Sequence, residues 1–240
     1  SVGNQGDRGP LMARIAEDLL LLLLDNASAQ PELDRSRCDR ALTAAALLDL
    51  AYACRIRPAV ESEPVEQGLL IVLSGPDPAD PVLAPALQLL LRRPISPATA
   101  IAKLRRVTAA AVFSQLERNG QVKRVRLNGK GLKRLYAWPL TDRSRAAQAR
   151  AALMAALFDQ QCPDPTTASI ISLLHTVHGL GAIFSLDQRG WEWVHDRAGD
   201  ITSGSWLSSE PDLAEVNLAV TTAALRHALS KRSNSLATSS

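Results

Sequence analysis

The chain has 240 residues, 46% of them hydrophobic and only 4% aromatic, with a formal charge of +3. Leu, Ala, Val and Ile must therefore pack the core, a composition that leans toward helix and is sufficient for one sizeable core or two small ones. Three widely separated cysteines exclude a disulfide framework, and a longest apolar run of Leu19–Leu24, bounded by Asp18 and Asp25, excludes a spanning helix and a signal peptide.

In chain order, residues 1–11 lack periodicity and read as a disordered tail or an expression remnant, with Met12 a candidate start; the domain is expected over 12–229, with a loose tail over 230–240. Ile15–Leu24 is apolar nearly all round and predicts a buried helix. Arg37–Cys54 predicts a second, with Asp34 or Ser36 as its cap. Arg55–Val60 and Leu69–Ser74 are short, apolar and β-branched on either side of an acidic stretch, a pattern for a hairpin. After the proline loop Gly75–Pro81, Val82–Leu91 reads as a helix with Pro85 in its first turn.

Ser96 opens a helix to about Arg118. Ile101, Leu104, Thr108, Ala111, Val112 and Gln115 share its inner stripe; Lys103, Arg106, Ala110, Ser114 and Glu117 share the outer one. Asn119-Gly120 stops it. Gln121–Leu127 and Leu132–Trp138 then predict two strands around Asn128-Gly129-Lys130-Gly131. Three further helices are expected: from Ala137–Asp142 to about Gln160, over Thr166–His178 and over Asp212–Ser230. The stretch around Trp191, Trp193 and Trp206 shows no clear period. The fold class is mainly α, a single multi-helical domain with one or two β-hairpins.

The charge is unevenly placed. Between Lys103 and Arg134 stand ten basic residues and one acid, Glu117. That window is net +9 in a chain of +3, so the remainder is net negative. Such concentration points to an anionic partner. No nucleophile elbow, phosphate-cradling loop or dinucleotide fingerprint accompanies it, and no carboxylate pair is placed for acid–base work, so no catalytic residue is assigned and a non-enzyme is expected. His175 and His178 sit three apart without a convincing third ligand, so neither a metal site nor a cofactor is assigned. The cysteines Cys38, Cys54 and Cys162 read as buried thiols suited to a reducing cytoplasm.

Two partners fit the basic helix–hairpin. On an anionic bilayer each Lys or Arg contributes roughly 1 kcal/mol within a Debye length. Alternatively, the helix enters a DNA groove and the hairpin forms the wing of a winged-helix nucleic-acid binder, although the outer stripe is thin in base-reading side chains.

Six segments in register resemble the Golgi phosphoprotein 3 family, in what looks like a bacterial branch, which the Arg- and Ala-biased composition also suits. They are Ala16–Asp25 (AEDLLLLLLD), Leu47–Ile56 (LLDLAYACRI), Asp80–Leu87 (DPVLAPAL), Gln115–Val122 (QLERNGQV), Pro139–Asp142 (PLTD) and Glu215–Leu225 (EVNLAVTTAAL). The resemblance implies a helical domain with a projecting hairpin, and peripheral binding to phosphatidylinositol 4-phosphate as in eukaryotic members. There the headgroup pocket uses a tryptophan and three arginines. Aligned without gaps, these positions fall on Asp34, Thr43, Arg106 and Ala109. Arg106 is thus the expected phosphate ligand, with Arg35, Arg37, Arg40, Lys103 and Arg105 as neighbours able to substitute, and Lys123, Arg124 and Arg126 on the hairpin supplying field. The resulting expectation is a cytoplasmic protein, peripheral on the inner face of the cell membrane, whose partner is an anionic lipid, a phosphoinositide among the candidates. Protein clients and oligomeric state stay open, as Gln121–Trp138 is more basic than apolar.

Overall fold

The computed structural model describes residues 13–127 and 135–230. Both expected tails and the Asn128–Gly131 turn, with Lys130, Lys133 and Arg134, lie outside the described residues. Within them the chain forms eight α-helices and two small antiparallel strand pairs, the mainly helical class expected. No described helix is long and apolar enough to cross a membrane.

Helix α1 (Arg14–Leu24) is buried at every position from Ile15 onward. Its six leucines face different neighbours, because α2 (Arg35–Tyr52), α4 (Pro97–Arg118), α5 (Ser144–Leu157) and α6 (Pro165–Thr176) all pack against it. Each leucine removed from water stabilises the fold by about 1.5–3 kcal/mol relative to exposure. A helix start placed so deep needs acceptors for its free N–H groups. Buried Asp49 of α2 supplies two, accepting from the backbone of Ile15 at 2.9 Å and Ala16 at 3.1 Å. Asp80 supplies a third, accepting from Ala13 at 2.9 Å. Glu17 and Asp18 are held by Arg145 of α5 at 2.6 and 2.5 Å.

Helix α2 starts at Asp34, whose side chain accepts from the Arg37 backbone at 3.0 Å. It is buried without interruption from Ala41 to Ala51. Small alanines there let neighbouring helices approach closely. Strands β1 (Ile56–Pro58) and β2 (Leu70–Val72) form the first hairpin, paired Arg57 to Ile71. Helix α3 (Ala84–Arg92) follows with proline in its first turn.

Helix α4 begins at Ser96, whose hydroxyl accepts from the Thr99 backbone at 3.2 Å. The anticipated stripes hold: Ile101, Leu104, Thr108 and Val112 are buried, while Lys103, Arg106, Ala110 and Ser114 are exposed. Gly120 ends the helix at φ +67°, where a side chain would be strained. Strands β3 (Val125–Leu127) and β4 (Leu135–Ala137) pair in the register Val125–Ala137, Arg126–Tyr136 and Leu127–Leu135.

One element departs from the sequence reading. Helix α7 (Gln188–Thr202) occupies the Trp191 region where no period is evident, capped by Asp187 accepting from Gly190 at 2.7 Å. Gly190 and Gly199 and the aromatic residues weaken its intrinsic preference. Packing against α6 supplies what propensity lacks. Helix α8 (Leu213–Ser230) completes the fold and lies against α2, α4 and α6. The thiols also correct an expectation: Cys38, within α2, is buried, but Cys54 is half-buried and Cys162 exposed, both lying in connections between elements.

Candidate functional site

The loop between α1 and α2 ties the second hairpin to the body. Asn26 donates to the carbonyls of Leu23 and Gln30, both at 2.8 Å. Gln30 donates to the Tyr136 carbonyl at 3.0 Å, and the Trp138 backbone donates to Ala29 at 2.7 Å. On the other side the Trp138 ring packs on Phe113 of α4 with centroids 4.7 Å apart. Strand β4 is thereby fixed beside α4, with its aromatic residues facing the helix.

A pocket of about 480 Å³ lies between these parts. Arg106, Ala109 and Phe113 of α4 form one wall, Tyr136 and Trp138 another, and Arg35, Cys38 and Asp39 of α2 the third. An adjoining cavity of about 530 Å³ shares Arg35, Asp39 and Arg106 and adds Ser36 and Arg105. Three guanidinium-bearing residues from two helices thus converge on one carboxylate, with an aromatic surface opposite. Arg35 lies 3.7 Å from Asp39. Burial raises the Asp39 carboxyl above its ordinary range, although Arg35, Arg105 and Arg106 pull it the other way. The Cys38 thiol is pushed up to about 12 by burial, with Asp39 and Asp34 adding to the effect, so it is neutral at physiological pH.

The expected residues separate into groups. Arg106 lies at the junction of both cavities, and Arg105 lines the second. Lys103 is exposed one turn away and lines neither. Arg37 is bonded to Asp34 and donates to the His178 carbonyl at 3.1 Å. Arg40 donates to the Leu229 carbonyl. Both guanidinium groups therefore reach helix ends of the body, α6 and α8, and neither residue lines the pocket. Of the three arginines expected from the start of α2, only Arg35 joins Arg106 in lining both cavities. Thr43 is fully buried in α2, with its hydroxyl donating to the Asp39 carbonyl at 2.7 Å, so this position faces the core here.

The hairpin cations Lys123, Arg124 and Arg126 are exposed. Arg124 also lies over the rings of Tyr136 and Trp138, 5.3 and 5.9 Å from their centroids, and 3.9 Å from Glu117. Between these cations, Val125, Leu127 and Leu135 expose about two-fifths to half of their surface. A strand alternates its side chains, so the three apolar residues share one side of the ribbon.

Sequence reasoning missed Asp39 and the Phe113–Tyr136–Trp138 surface. In a chain with so few aromatic residues, two of them within three positions of a basic hairpin were the available signal. Among the described residues no set of three His, Cys, Asp or Glu side chains is placed to hold a metal ion. His175 and His195 rings lie 5.7 Å apart, packed with Trp191.

The chain matches the family model for Golgi phosphoprotein 3 over residues 15–223. No curated protein matches it.

Proposed function

The chain belongs to the Golgi phosphoprotein 3 family, and on that premise we propose that it is a non-enzymatic, peripheral membrane protein of the cytoplasmic face that binds anionic phospholipid. The headgroup, phosphatidylinositol 4-phosphate among the candidates, enters the pocket between α2, α4 and β4. The carrying observation is the convergence of Arg35, Arg105 and Arg106 beside an aromatic wall, at the foot of a hairpin that exposes both cations and apolar side chains. Guanidinium groups donate paired hydrogen bonds to phosphate oxygens. The rings of Tyr136 and Trp138 offer an apolar face to the ligand's carbon skeleton.

The magnitudes agree with reversible attachment. Lys103, Arg106, Lys123, Arg124 and Arg126 are all exposed. At roughly 1 kcal/mol each near an anionic surface, they contribute about 4–5 kcal/mol, equivalent by themselves to only millimolar affinity. Val125, Leu127 and Leu135 add apolar burial at the interface, and a pocketed phosphate adds directional bonds.

Liposome co-sedimentation beside a duplex-DNA shift assay, each at several salt concentrations, tests this reading. Retention on anionic vesicles that weakens with salt is expected, with Arg106→Ala reducing it several-fold. Tight DNA binding without vesicle retention sinks the lipid reading in favour of a winged-helix role. Retention of Arg106→Ala equal to the parent removes Arg106 as the headgroup ligand.

A further inference from the structure

Asp39 is an unexpected group in a pocket that receives phosphate. Acidic residues elsewhere in the domain have architectural work: Asp34 caps α2, Asp49 accepts two buried backbone N–H groups, and Glu17 and Asp18 bind Arg145. Among the described residues the Asp39 carboxylate has no such bond. Its ion pair with Arg35 is 3.7 Å long, beyond hydrogen-bond range, and Arg105 and Arg106 act on it through space. It lines both cavities, with 16% of its side chain exposed. Removing the charge therefore loosens little of the fold, but changes the field where the ligand sits.

We propose that Asp39 is an internal counter-ion that competes with lipid phosphate for Arg35, Arg105 and Arg106, so that membrane attachment tightens when its negative charge is removed. This rests on the lipid-binding reading of the same pocket. A phosphate entering beside a charged Asp39 meets like-charge repulsion at short range and must draw the arginines away from it. A neutral side chain at 39 leaves all three free for the ligand. The device sets a threshold: a sparse anionic surface does not outcompete the internal carboxylate, whereas a dense one does.

The same geometry makes attachment sensitive to pH. Asp39 faces Arg35 on its own helix, Arg105 and Arg106 from α4, and Tyr136 across the pocket from β4, with the neutral Cys38 thiol beside it. Burial makes the Asp39 carboxyl take up its proton at higher pH than an exposed one. Lowering the pH toward the upper carboxylate range thus neutralises Asp39.

The test is co-sedimentation of the full chain with phosphatidylcholine vesicles carrying graded phosphatidylglycerol, comparing the parent with Asp39→Asn, Asp39→Ser, Asp39→Glu and Arg106→Ala. Thermal midpoints monitor folding. The uncharged variants are expected to bind on the order of fivefold more tightly, the factor for one surface charge, and to lose the strengthening at lower pH that the parent shows. Asp39→Glu, which retains the charge, keeps both the weaker binding and the pH response. If folded Asp39→Asn and Asp39→Ser bind no more tightly than the parent, or share its pH response, the counter-ion is overturned. In that case, loss of binding in Arg106→Ala leaves the pocket reading standing. Absence of vesicle binding by the parent and every variant overturns both.

Discussion

Asp49 shows how one side chain can set the position of a helix. Its two carboxylate oxygens take the backbone N–H groups of Ile15 and Ala16, which lie where water cannot reach. Asp49→Ala leaves both donors unpaired, and at about 1–3 kcal/mol each the variant is expected to lose about 2–6 kcal/mol in urea unfolding. Burial also raises the Asp49 carboxyl well above its ordinary value, more than the two hydrogen bonds lower it. A carboxyl raised in the folded state contributes stability that is complete below its unfolded value and is lost as pH rises through the folded one. The deficit of Asp49→Asn relative to the parent should therefore shrink as pH increases, and urea titrations over a pH series would reveal it. Arg145 is the complementary case. It joins Glu17 and Asp18, whose carboxyls are also raised, chiefly by burial. Arg145→Met strands both acids and is expected to cost roughly 3–5 kcal/mol by the same measurement. Arg145→Lys should recover only part, because an ammonium lacks the fork that reaches two carboxylates.

At the scale of elements, the second hairpin and α4 act as one unit. The Phe113–Trp138 contact and the Ala29–Trp138 hydrogen bond hold β4 against the body, while Val122 bridges Leu140 at the hairpin's base. Trp138→Ala removes the Phe113 contact and part of the pocket's aromatic wall. Faster amide exchange in β3 and β4 is expected, together with weaker vesicle retention. Unchanged exchange would mean that the strands are held by other contacts. The exposed side of the ribbon predicts a different outcome. Val125→Ser with Leu127→Ser should lower vesicle retention with only a small shift of the thermal midpoint, since both side chains lie on the exposed ribbon and outside the core. Helix α7 marks where element-level reading fell short: Val194, Ala198, Ile201 and Thr202 recur at helical spacing and are buried, but Gly190, Gly199 and the interspersed Trp191, Trp193 and His195 obscure that stripe.

For the whole molecule, the arrangement is two buried helices, α1 and α2, wrapped by the rest, with cations gathered on α4 and the hairpin. Attachment through such a face should weaken as salt shortens the Debye length from about 10 Å at 0.1 M to about 3 Å at 1 M, measurable as vesicle retention across that range. Much of this was legible in the chain. The Leu19–Leu24 run, the Ser96 cap and the Asn119-Gly120 stop depend on neighbours within a few residues, and local chemistry decides them, whereas the choice of Asp34 over Ser36 as the α2 cap came from the structure. The concentration of positive charge was equally plain, since it is a property of a window. The composition of the pocket was not. Arg37 and Arg40 stand as close in sequence to Arg35 as any candidates, yet their guanidinium groups serve the carbonyls of His178 and Leu229. Arg35 and Asp39 meet Arg106 about 70 positions away, and Trp138 arrives from the far side of the hairpin. Periodicity tells which face of a helix is wet; only the packing of α2 against α4 tells which wet side chains face one another, because that is a distance through space rather than along the chain.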